Sequence, residues 1–421
     1  MKRDFYGWKC AIGCFIISFC HSGIFYALPT LYPYFLEKLG VSMTMLSVSS
    51  TISTVSGTLA AFAAAPLLDK LGARKMFLFG TFSAVSYLVL MAFADDLCVI
   101  WIAMALSGVT MSFGLRAACV AVINAWFVDK RSTILGVIFA AMTLGGSAVT
   151  AAVGFLFGPM GQRGTFLVLA AAIGVACLLS EILLIKNDPA TFGQKALDAE
   201  YTSADQGSSS SVQENYDLKN SILAQENAES DFSKIKRSKE FLLLALAMIL
   251  TAIAGGAYNG FGNTFLMYNG LTQQNAATVS SFVLVCSTLG SILLGALADK
   301  KGPRAYTTAS LGLYTLGLAL TIVWNIIFRS VVILVPMSML CAFGIPSLSI
   351  GATVTPYIFG RKNATSVNSR LTAFTTVGSA LCSIIGGVLY DATGVFIVFF
   401  GLSALIILFV LLTYIWMFRN L

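Results

Sequence analysis

Charged residues are scarce in this sequence. Lys, Arg, Asp and Glu together make up 11% of its 421 residues, whereas 57% are apolar. A soluble globular domain carries about 25% charged residues, so this scarcity excludes an ordinary soluble protein. Apolar runs of about 20 residues, the length that crosses a bilayer as a helix, recur along the whole chain. We therefore predict an integral membrane protein in contact with the lipid bilayer.

The sequence is also poor in the residues that build catalytic and metal sites. It has one histidine, and its nine cysteines lie almost entirely as single residues inside apolar runs. It has no H-E-x-x-H, C-x-x-C or Walker motif, which argues against an enzyme, a metal centre and a bound cofactor. The net charge of +7 is spread over short loops without interleaved aromatic residues, so nucleic acid is not an expected partner.

The apolar runs predict an all-α membrane protein with twelve transmembrane helices, numbered here as spans one to twelve. They are expected at residues 8–36, 44–68, 76–94, 98–128, 133–158, 164–186, 238–268, 273–298, 305–325, 328–359, 364–390 and 394–418. The run at 187–237 is polar and rich in Ser, which predicts a flexible cytoplasmic linker. The expected domains are thus a six-helix half at 1–186, this linker, and a second six-helix half at 238–421.

The distribution of Lys and Arg predicts the orientation. Most of these residues fall in loops and helix ends on the side of the N-terminus, whereas the other side holds only Lys38, Arg163 and Arg329. Loops rich in Lys and Arg stay in the cytoplasm, so both termini are predicted to be cytoplasmic. The basic start leads into an apolar run without a cleavage site, which indicates a retained first span. Together with the short loops, this suggests the inner (plasma) membrane of a bacterium.

An internal repeat relates the two halves. The segment "LLDKLGARKMFLFG" at 67–80 matches "LADKKGPRAYTTAS" at 297–310. Three residues recur at a separation of 230 positions: Asp69, Gly72 and Arg74 return as Asp299, Gly302 and Arg304. Secondary carriers are often built from two parallel repeats that rock about a site near the bilayer midplane. The repeat therefore predicts a transporter with pseudo-symmetric halves.

The two D-x-x-G-x-R loops resemble the signature of the major facilitator superfamily. Three shorter motifs, "DFYGW" (4–8), "WFVDKRSTILGV" (126–137) and "GGVLYDATGVFIVFFG" (386–401), look like the monocarboxylate porter and oxalate/formate antiporter branch. The resemblance implies that spans one, four, seven and ten line a central cavity and that the two loops act as gates. The sequence departs from the branch in lacking a basic residue in span eight and the span-one lysine of animal monocarboxylate porters, which favours a monoanion over a dicarboxylate.

Arg116 lies inside an apolar stretch of span four, about thirteen residues or roughly 20 Å from its cytoplasmic end. A charge at the bilayer centre costs about 2.5–3.5 kcal/mol on insertion scales, so it usually faces a cavity or a partner. No Asp or Glu is expected deep in a span, because Glu181 is placed near the inner end of span six. Arg116 either binds an anionic cargo through its planar guanidinium or pairs with a neighbouring helix.

His21, Tyr32 and Arg370 are further candidates for cargo binding. His21 shares a helical stripe with Tyr32, and the resemblance places it on the cavity wall. It either binds the anion or titrates with it, or it is a packing residue. Arg370 either reaches the inner surface, pairs with Asp69 as a latch between the halves, or forms a second anion site.

Span seven contributes a last group of candidates, Tyr258, Asn259 and Asn263. They lie in the Gly-rich sequence "GGAYNGFGNTF". Glycines of this kind either allow the helix to break and expose backbone groups to a cargo, or allow close packing of two helices. Both interpretations stay open.

These observations predict a secondary carrier that moves a small organic anion, such as a monocarboxylate, by alternating access. No titratable carboxylate is expected at depth, so anion exchange, uniport, and symport in which the bound acid and His21 share the proton all stay open, with symport and exchange ranked equally. The alternative is a major facilitator exporter of a non-carboxylate small molecule, with Arg116 structural. Expected partners are the organic anion, protons or a counter-anion and the bilayer, and we expect a monomer.

Overall fold

The computed structural model of the chain describes residues 5–127, 131–186, 189, 238–327, 331–344 and 349–419. Apart from Pro189, the predicted linker at 187–237 lies outside these residues. The regular elements described are helices in the following order: α1 (Gly7–Phe25), α2 (Ala27–Thr30), α3 (Tyr32–Leu39), α4 (Met43–Ala92), α5 (Leu97–Thr110), a π-helical segment (Met111–Ala117), α6 (Ala118–Trp126), α7 (Arg131–Leu183), α8 (Lys239–Tyr268), α9 (Gln273–Ile327), α10 (Val331–Gly344), α11 (Ser349–Thr393) and α12 (Ile397–Arg419).

Three long helices each contain two spans, because a glycine with positive φ turns the chain inside them. Gly72 (φ 75°) divides α4, Gly161 (φ 64°) divides α7 and Gly302 (φ 83°) divides α9. Residues with a Cβ atom are strained in this conformation, and glycine is not. Other spans are divided among several helices. Span one comprises α1 to α3, span four comprises α5, the π-helical segment and α6, and span ten comprises α10 with the start of α11.

The prediction of an all-α, twelve-helix membrane protein is confirmed. Ten stretches of the described residues are long and apolar enough to cross a membrane. One of them, Ile134–Leu183, is 50 residues long and contains the turn at Gly161, so it holds two spans. The predicted tenth span is represented by the shorter apolar helix Val335–Gly344.

The pseudo-symmetry of the halves is visible in the backbone. The described glycines with positive φ form three pairs, separated by 230, 230 and 233 residues: Gly40 with Gly270, Gly72 with Gly302, and Gly161 with Gly394. The turns at Gly72 and Gly302 lie at the end of the bundle where α1 begins and α12 ends, which is named the terminal end. The other four turns lie at the opposite end.

Of the two interpretations of the span-seven glycines, the structure agrees with close packing, because α8 runs without interruption from Lys239 to Tyr268. Gly256 serves this packing: a Cβ atom there would lie 2.8 Å from the Cys382 sulfur of α11. The interrupted helix is span one, which leaves helical geometry at Leu31 (φ −110°, ψ 12°). Pro33 follows this break and has no N–H to donate to a carbonyl of the preceding turn.

The exterior of the bundle is apolar and its helices meet through small residues. Phe62, Phe82 and Leu405 are 78%, 74% and 67% exposed, as expected for side chains that face lipid tails. Between spans two and four, a Cβ atom at Gly57 would lie 3.0 Å from the Gly108 carbonyl oxygen. Small residues at such crossings let membrane helices approach closely.

Candidate transport site

A small cavity of about 30 Å³ lies between the two halves. Ten residues line it: Tyr26, Pro29, Thr30, Thr150, Tyr258, Asn259, Asn263, Ser280, Val283 and Leu284. They come from spans one and five of the N-terminal half and from spans seven and eight of the C-terminal half. All ten are uncharged, so the lining offers hydroxyl, amide and aromatic groups to a ligand.

The break in span one shapes one wall of this cavity. The Thr30 carbonyl at the end of α2 accepts hydrogen bonds from Asn263 Nδ2 (3.0 Å) and from Gln273 Nε2 (2.9 Å). Asn263 Oδ1 in turn accepts from Ser280 Oγ at 3.2 Å. Both carboxamides belong to the C-terminal half, so this network ties the broken helix to the other half beside the cavity.

The predicted trio in span seven is brought together in the cavity. Asn259 and Asn263 are four residues apart and therefore share one face of α8. The Tyr258 ring is 3% exposed and stacks on the Phe400 ring at a centroid distance of 6.1 Å. Thr150, which the sequence did not indicate, lines the opposite wall, and its hydroxyl has no partner among the described residues. Asn259 and Thr150 are thus the groups best placed to bind a cargo.

The halves are joined at the opposite end through the N-terminus of α4. The Asp391 carboxylate of α11 accepts from the Met43 N–H and the Thr44 N–H, each at 2.9 Å, and from the Thr44 hydroxyl at 2.5 Å. A helix N-terminus presents free N–H groups and the positive end of the helix dipole, which a carboxylate complements. Asp391 therefore caps a helix of the other half.

Further contacts between the halves extend this junction towards the membrane centre. The Ser147 and Ser281 hydroxyls each donate to the other residue's carbonyl at 2.9 Å, which links α7 to α9. The Thr51 hydroxyl donates to the Ala380 carbonyl at 2.9 Å, which links α4 to α11. These contacts hold the two halves together between the cavity and the opposite end.

Arg116 belongs to the π-helical segment Met111–Ala117 in the middle of span four. Its side chain lies outside the described residues, as do the side chains of the two predicted gate acids, Asp69 and Asp299. Of the other gate residues, Gly72 and Gly302 form the turns described above. Arg74 is half-buried, and the Arg304 guanidinium lies 5.6 Å from the centre of the Phe418 ring.

Three predicted cargo residues do not line the cavity. Tyr32 is 1% exposed, and its hydroxyl pairs with Ser50 Oγ at 2.9 Å. Arg370 is half-buried on α11. His21 is 1% exposed inside the N-terminal half, where its Nε2 atom pairs with Thr81 Oγ1 at 2.9 Å. The placement of His21 on the cavity wall, which the resemblance implied, is therefore not what the structure shows.

The expectation that no carboxylate lies deep in the bundle is also wrong. Glu181 is 0% exposed, and its Oε1 atom accepts from the Thr81 hydroxyl at 2.5 Å. The chain after span six folds beneath span one and covers it: Cys10 Sγ donates to the Leu184 carbonyl at 3.2 Å, and Gly13 packs against Ile185. Glu181 is therefore buried even though it lies near the end of its helix in the sequence.

Known proteins share this architecture. A bacterial homologue of the human lysosomal transporter Spinster, inward-facing and occupied, has a TM-score of 0.76 at 12% identity, over 100% of this chain and 98% of that chain. The nucleoside transporter NupG has a TM-score of 0.70 at 16% identity, over 96% of this chain and 99% of that chain. At these identities the likeness shows the fold alone. No curated protein matches the sequence significantly.

The sequence itself matches a family model. The model is described as the Major Facilitator Superfamily, and it matches residues 14–355 and 272–420, which together span nearly the whole chain. The twelve-helix fold, the two pseudo-symmetric halves and the cavity between them agree with this match. The chain belongs to the major facilitator superfamily, and it is a membrane transporter rather than an enzyme.

Proposed function

We propose that the protein is a secondary carrier for a small organic anion, of which a monocarboxylate is the simplest example. The proposal rests on Arg116, whose backbone belongs to the π-helical segment in the middle of span four. π-Helical turns are rare and are frequent at functional sites. A guanidinium inside a membrane span needs a compensating group, and a carboxylate cargo fits its planar fork.

The cavity supports the same class of cargo. Its polar groups, chiefly Thr150, Asn259 and Asn263, suit the hydroxyl or keto oxygen of a small organic acid. Because its lining is uncharged, we assign recognition of the cargo's charge to Arg116 of span four. Direct contact of the cargo with Tyr32, His21 or Arg370 requires another conformation of the transport cycle. The motif resemblance adds the monocarboxylate porter and oxalate/formate antiporter branch as the proposed subfamily.

Alternating access then follows from the junction at the opposite end. The cap of Asp391 on α4 and the Ser147–Ser281 pair must separate before the cavity opens on that side. We assign the reciprocal role at the terminal end to the repeated loops, with Asp69 and Asp299 as the acids and Arg74 and Arg304 as the bases. Reformation of one set of contacts as the other breaks would admit the cargo from one side at a time.

The uncharged lining favours one second candidate, a carrier of a neutral polar molecule. In that case the cargo would bind to the amide and hydroxyl groups alone, and Arg116 would serve packing between helices. The two candidates differ in one measurable way, because only the anion carrier loses its ligand response when the guanidinium is removed.

The test is thermal stabilisation of the purified protein by monocarboxylates, dicarboxylates, amines, sugars and nucleosides. A ligand at 100 times its Kd adds about 2.7 kcal/mol of stability. We expect a monocarboxylate to stabilise the wild type and Arg163→Ala, a control in which the lost arginine side chain is 69% exposed. The same ligand should not stabilise Arg116→Ala.

The outcomes separate the candidates. Equal stabilisation of Arg116→Ala and the wild type by a monocarboxylate would make Arg116 structural. A response limited to sugars or nucleosides would support the neutral cargo and overturn the anion carrier. Response to amines alone would contradict both.

The remaining assignments concern the cellular setting. We propose that the carrier acts as a monomer in the inner membrane, with both termini cytoplasmic, because Lys and Arg are concentrated at the terminal end. On this orientation the contacts between the cavity and the opposite end lie towards the outside. The co-transported species is either a proton or a counter-anion.

A further inference from the structure

Three polar side chains from three spans form a hydrogen-bonded chain inside the N-terminal half. His21 Nε2 lies 2.9 Å from Thr81 Oγ1, and the Thr81 hydroxyl donates to Glu181 Oε1 at 2.5 Å. A hydroxyl has one proton, so a Thr81 that donates to the carboxylate must accept from the His21 Nε2–H. The hydrogen bonds therefore run in one direction, from the imidazole to the carboxylate.

Each end of this chain has an atom without a partner among the described residues, His21 Nδ1 at one end and Glu181 Oε2 at the other. Both residues are almost fully buried, at 1% and 0% exposure. With a neutral imidazole and an ionised carboxylate, the trio carries one buried negative charge, which is unfavourable in a membrane interior. One added proton removes that charge.

The trio lies well inside the N-terminal half. His21 is fourteen residues from the start of α1 at Gly7, about 21 Å along a helix with a rise of 1.5 Å per residue. Because the two hydrogen bonds measure only 2.9 Å and 2.5 Å, Thr81 and Glu181 lie at nearly the same depth as His21. The segment after α7 agrees with this depth, since Ile185 packs against Gly13 of α1.

Glycines make room for the imidazole at its inner position. A Cβ atom at Gly114 would lie 2.4 Å from His21 Nδ1, and one at Gly80 would lie 3.3 Å from the ring carbon Cε1. Gly114 belongs to the same π-helical segment as Arg116 and precedes it by two residues. A change of charge at His21 therefore acts directly on the segment that carries the proposed anion site.

The fold does not require these polar residues. At the separations given by the paired turns, the positions of His21, Thr81 and Glu181 are taken in the C-terminal half by Thr251, Leu311 and Tyr414. These are buried as well, at 5%, 0% and 1% exposure. The same helical scaffold thus folds without an acid or an imidazole at these places, so the trio has a purpose beyond packing.

Among the side chains that the structure describes, few other titratable or charged groups surround the trio. Arg74 of α4 is close enough to Glu181 to interact with it electrostatically. Cys20 of α1 and Cys177 of α7 are within hydrogen-bonding reach of each other, and Cys119 of α6 lies 3.8 Å from the Gly114 carbonyl. Free thiols are mostly neutral near pH 7. Arg74 therefore offsets part of the cost of the unprotonated trio.

We propose that His21, Thr81 and Glu181 form a binding site for one exchangeable proton. A proton taken up at His21 Nδ1 gives an imidazolium that faces the Glu181 carboxylate through Thr81. Transfer of the Nε2 proton to Thr81 Oγ1, together with transfer of the Thr81 proton to Glu181 Oε1, gives a neutral imidazole and a neutral carboxylic acid. Both forms hold the same number of protons, and either end can release one.

Proton binding itself needs no cargo, whereas its use to drive cargo rests on the proposed transport function. Infrared difference spectroscopy of the protein in lipid vesicles, between about pH 5 and about pH 9, tests the binding. We expect the C=O stretch of a protonated carboxylic acid to grow as the pH falls in the wild type and to be missing from Glu181→Gln. Thr81→Val and His21→Gln should shift its midpoint, and Thr81→Ser should restore it.

Tyr414→Phe is the matched control, because it removes a buried hydroxyl at the position equivalent to Glu181 in the other half. It should leave the band unchanged. Absence of a titrating band in the wild type, or its persistence in Glu181→Gln, would overturn the proposal. A midpoint that is unaffected by both Thr81→Val and His21→Gln would show that Glu181 titrates alone and would overturn the shared site.

A second measurement, with radiolabelled lactate as the probe, tests the coupling. An inward gradient of one pH unit supports about tenfold accumulation of an acid carried with one proton. Glu181→Gln should lose this accumulation but keep lactate counterflow. Wild-type counterflow without a response to the pH gradient would overturn the coupling. Lack of counterflow in the wild type would contradict the proposed cargo class, while the infrared result would still decide the proton site.

Discussion

The two halves of this carrier share a backbone plan but differ in what they bury. The N-terminal half encloses an imidazole and a carboxylate joined by Thr81, whereas the C-terminal half has Leu311 and Tyr414 at the matching places. Such asymmetry is informative because repeats keep what the fold needs in both copies. The paired turns belong to the scaffold, and the polar chain belongs to the activity.

The largest difference we expect between the halves concerns two matched glycines. A Cβ atom at Gly344 would lie 2.3 Å from the Tyr314 backbone nitrogen, whereas one at Gly114 would meet the His21 side chain. A side chain can rotate away, whereas a backbone atom cannot. Gly344→Ala should therefore lower the free energy of unfolding by about 1–3 kcal/mol or more, and Gly114→Ala should lower it less. Melting temperatures of the purified variants check this. Equal losses would mean that the imidazole is held as rigidly as a backbone.

A second contrast is between Thr81→Val and Thr251→Val. Thr81 satisfies two buried groups, so its loss should cost about 1–3 kcal/mol. The Thr251 hydroxyl is buried without a partner among the described residues, so a methyl group in its place should be neutral or stabilising. Thermal unfolding of both variants, with Thr81→Ser as control, measures the difference. A destabilised Thr251→Val alongside a stable Thr81→Val would reverse the comparison.

The junction between the halves should weaken in Asp391→Asn. The substitution removes the negative charge at the N-terminus of α4, and such a charge contributes about 0.3–1 kcal/mol at an exposed site and up to about 2 kcal/mol where it is partly buried. Ser47, beside this junction, is 0% exposed. Thiol labelling at a Ser47→Cys site should become about tenfold faster for a loss of about 1.4 kcal/mol. Asp96→Asn, an exposed cap within the N-terminal half, is the control. An unchanged labelling rate would mean that the Ser147–Ser281 pair, and not Asp391, holds the junction together.

The smallest effect concerns a surface pair. Lys38 Nζ lies 2.5 Å from Asp95 Oδ1, whereas the matching Asn325 in the C-terminal half hydrogen-bonds to Asn269. The Lys38 ammonium, through its hydrogen bond and its charge, holds the pKa of the exposed Asp95 below its ordinary value of 3.8. This contribution to stability is present above that value and is lost as the pH falls through the lower folded pKa.

The melting temperature of Asp95→Asn should therefore lie slightly below that of the wild type near neutral pH and converge with it in acid. Asn325→Asp supplies the reverse change, since it introduces a carboxylate into the half that lacks one. A difference for Asp95→Asn that persists unchanged in strong acid would contradict a role for the charge.

Composition and repeat predict most of the fold. Apolar run length gives the twelve helices, because backbone groups in lipid must be satisfied within a helix. The repeated glycines, Gly72 and Gly302, mark turns that need a positive φ, which glycine adopts without strain. The sequence could not decide between a break and close packing in span seven, because glycine permits both; the contact of Gly256 with Cys382 agrees with packing.

The site is less predictable. Tyr258, Asn259 and Asn263 stand out as polar residues within an apolar run, and they do line the cavity. Thr150 and Ser280 do not stand out, because Ser and Thr are common in these spans and hydrogen-bond within their own helices. Glu181 was missed because its burial depends on the segment after span six, which folds back under span one.

The π-helical segment changes which residues of span four share a face of the helix. A wider turn shifts the helix register, and one residue corresponds to about 100° of rotation in an α-helix. Residues before Met111 and after Ala117 therefore do not follow a single helical wheel. Deletion of one residue within the segment would restore a regular helix and rotate the residues on one side of it by about 100° relative to those on the other, so the length of this segment sets which faces of span four are aligned.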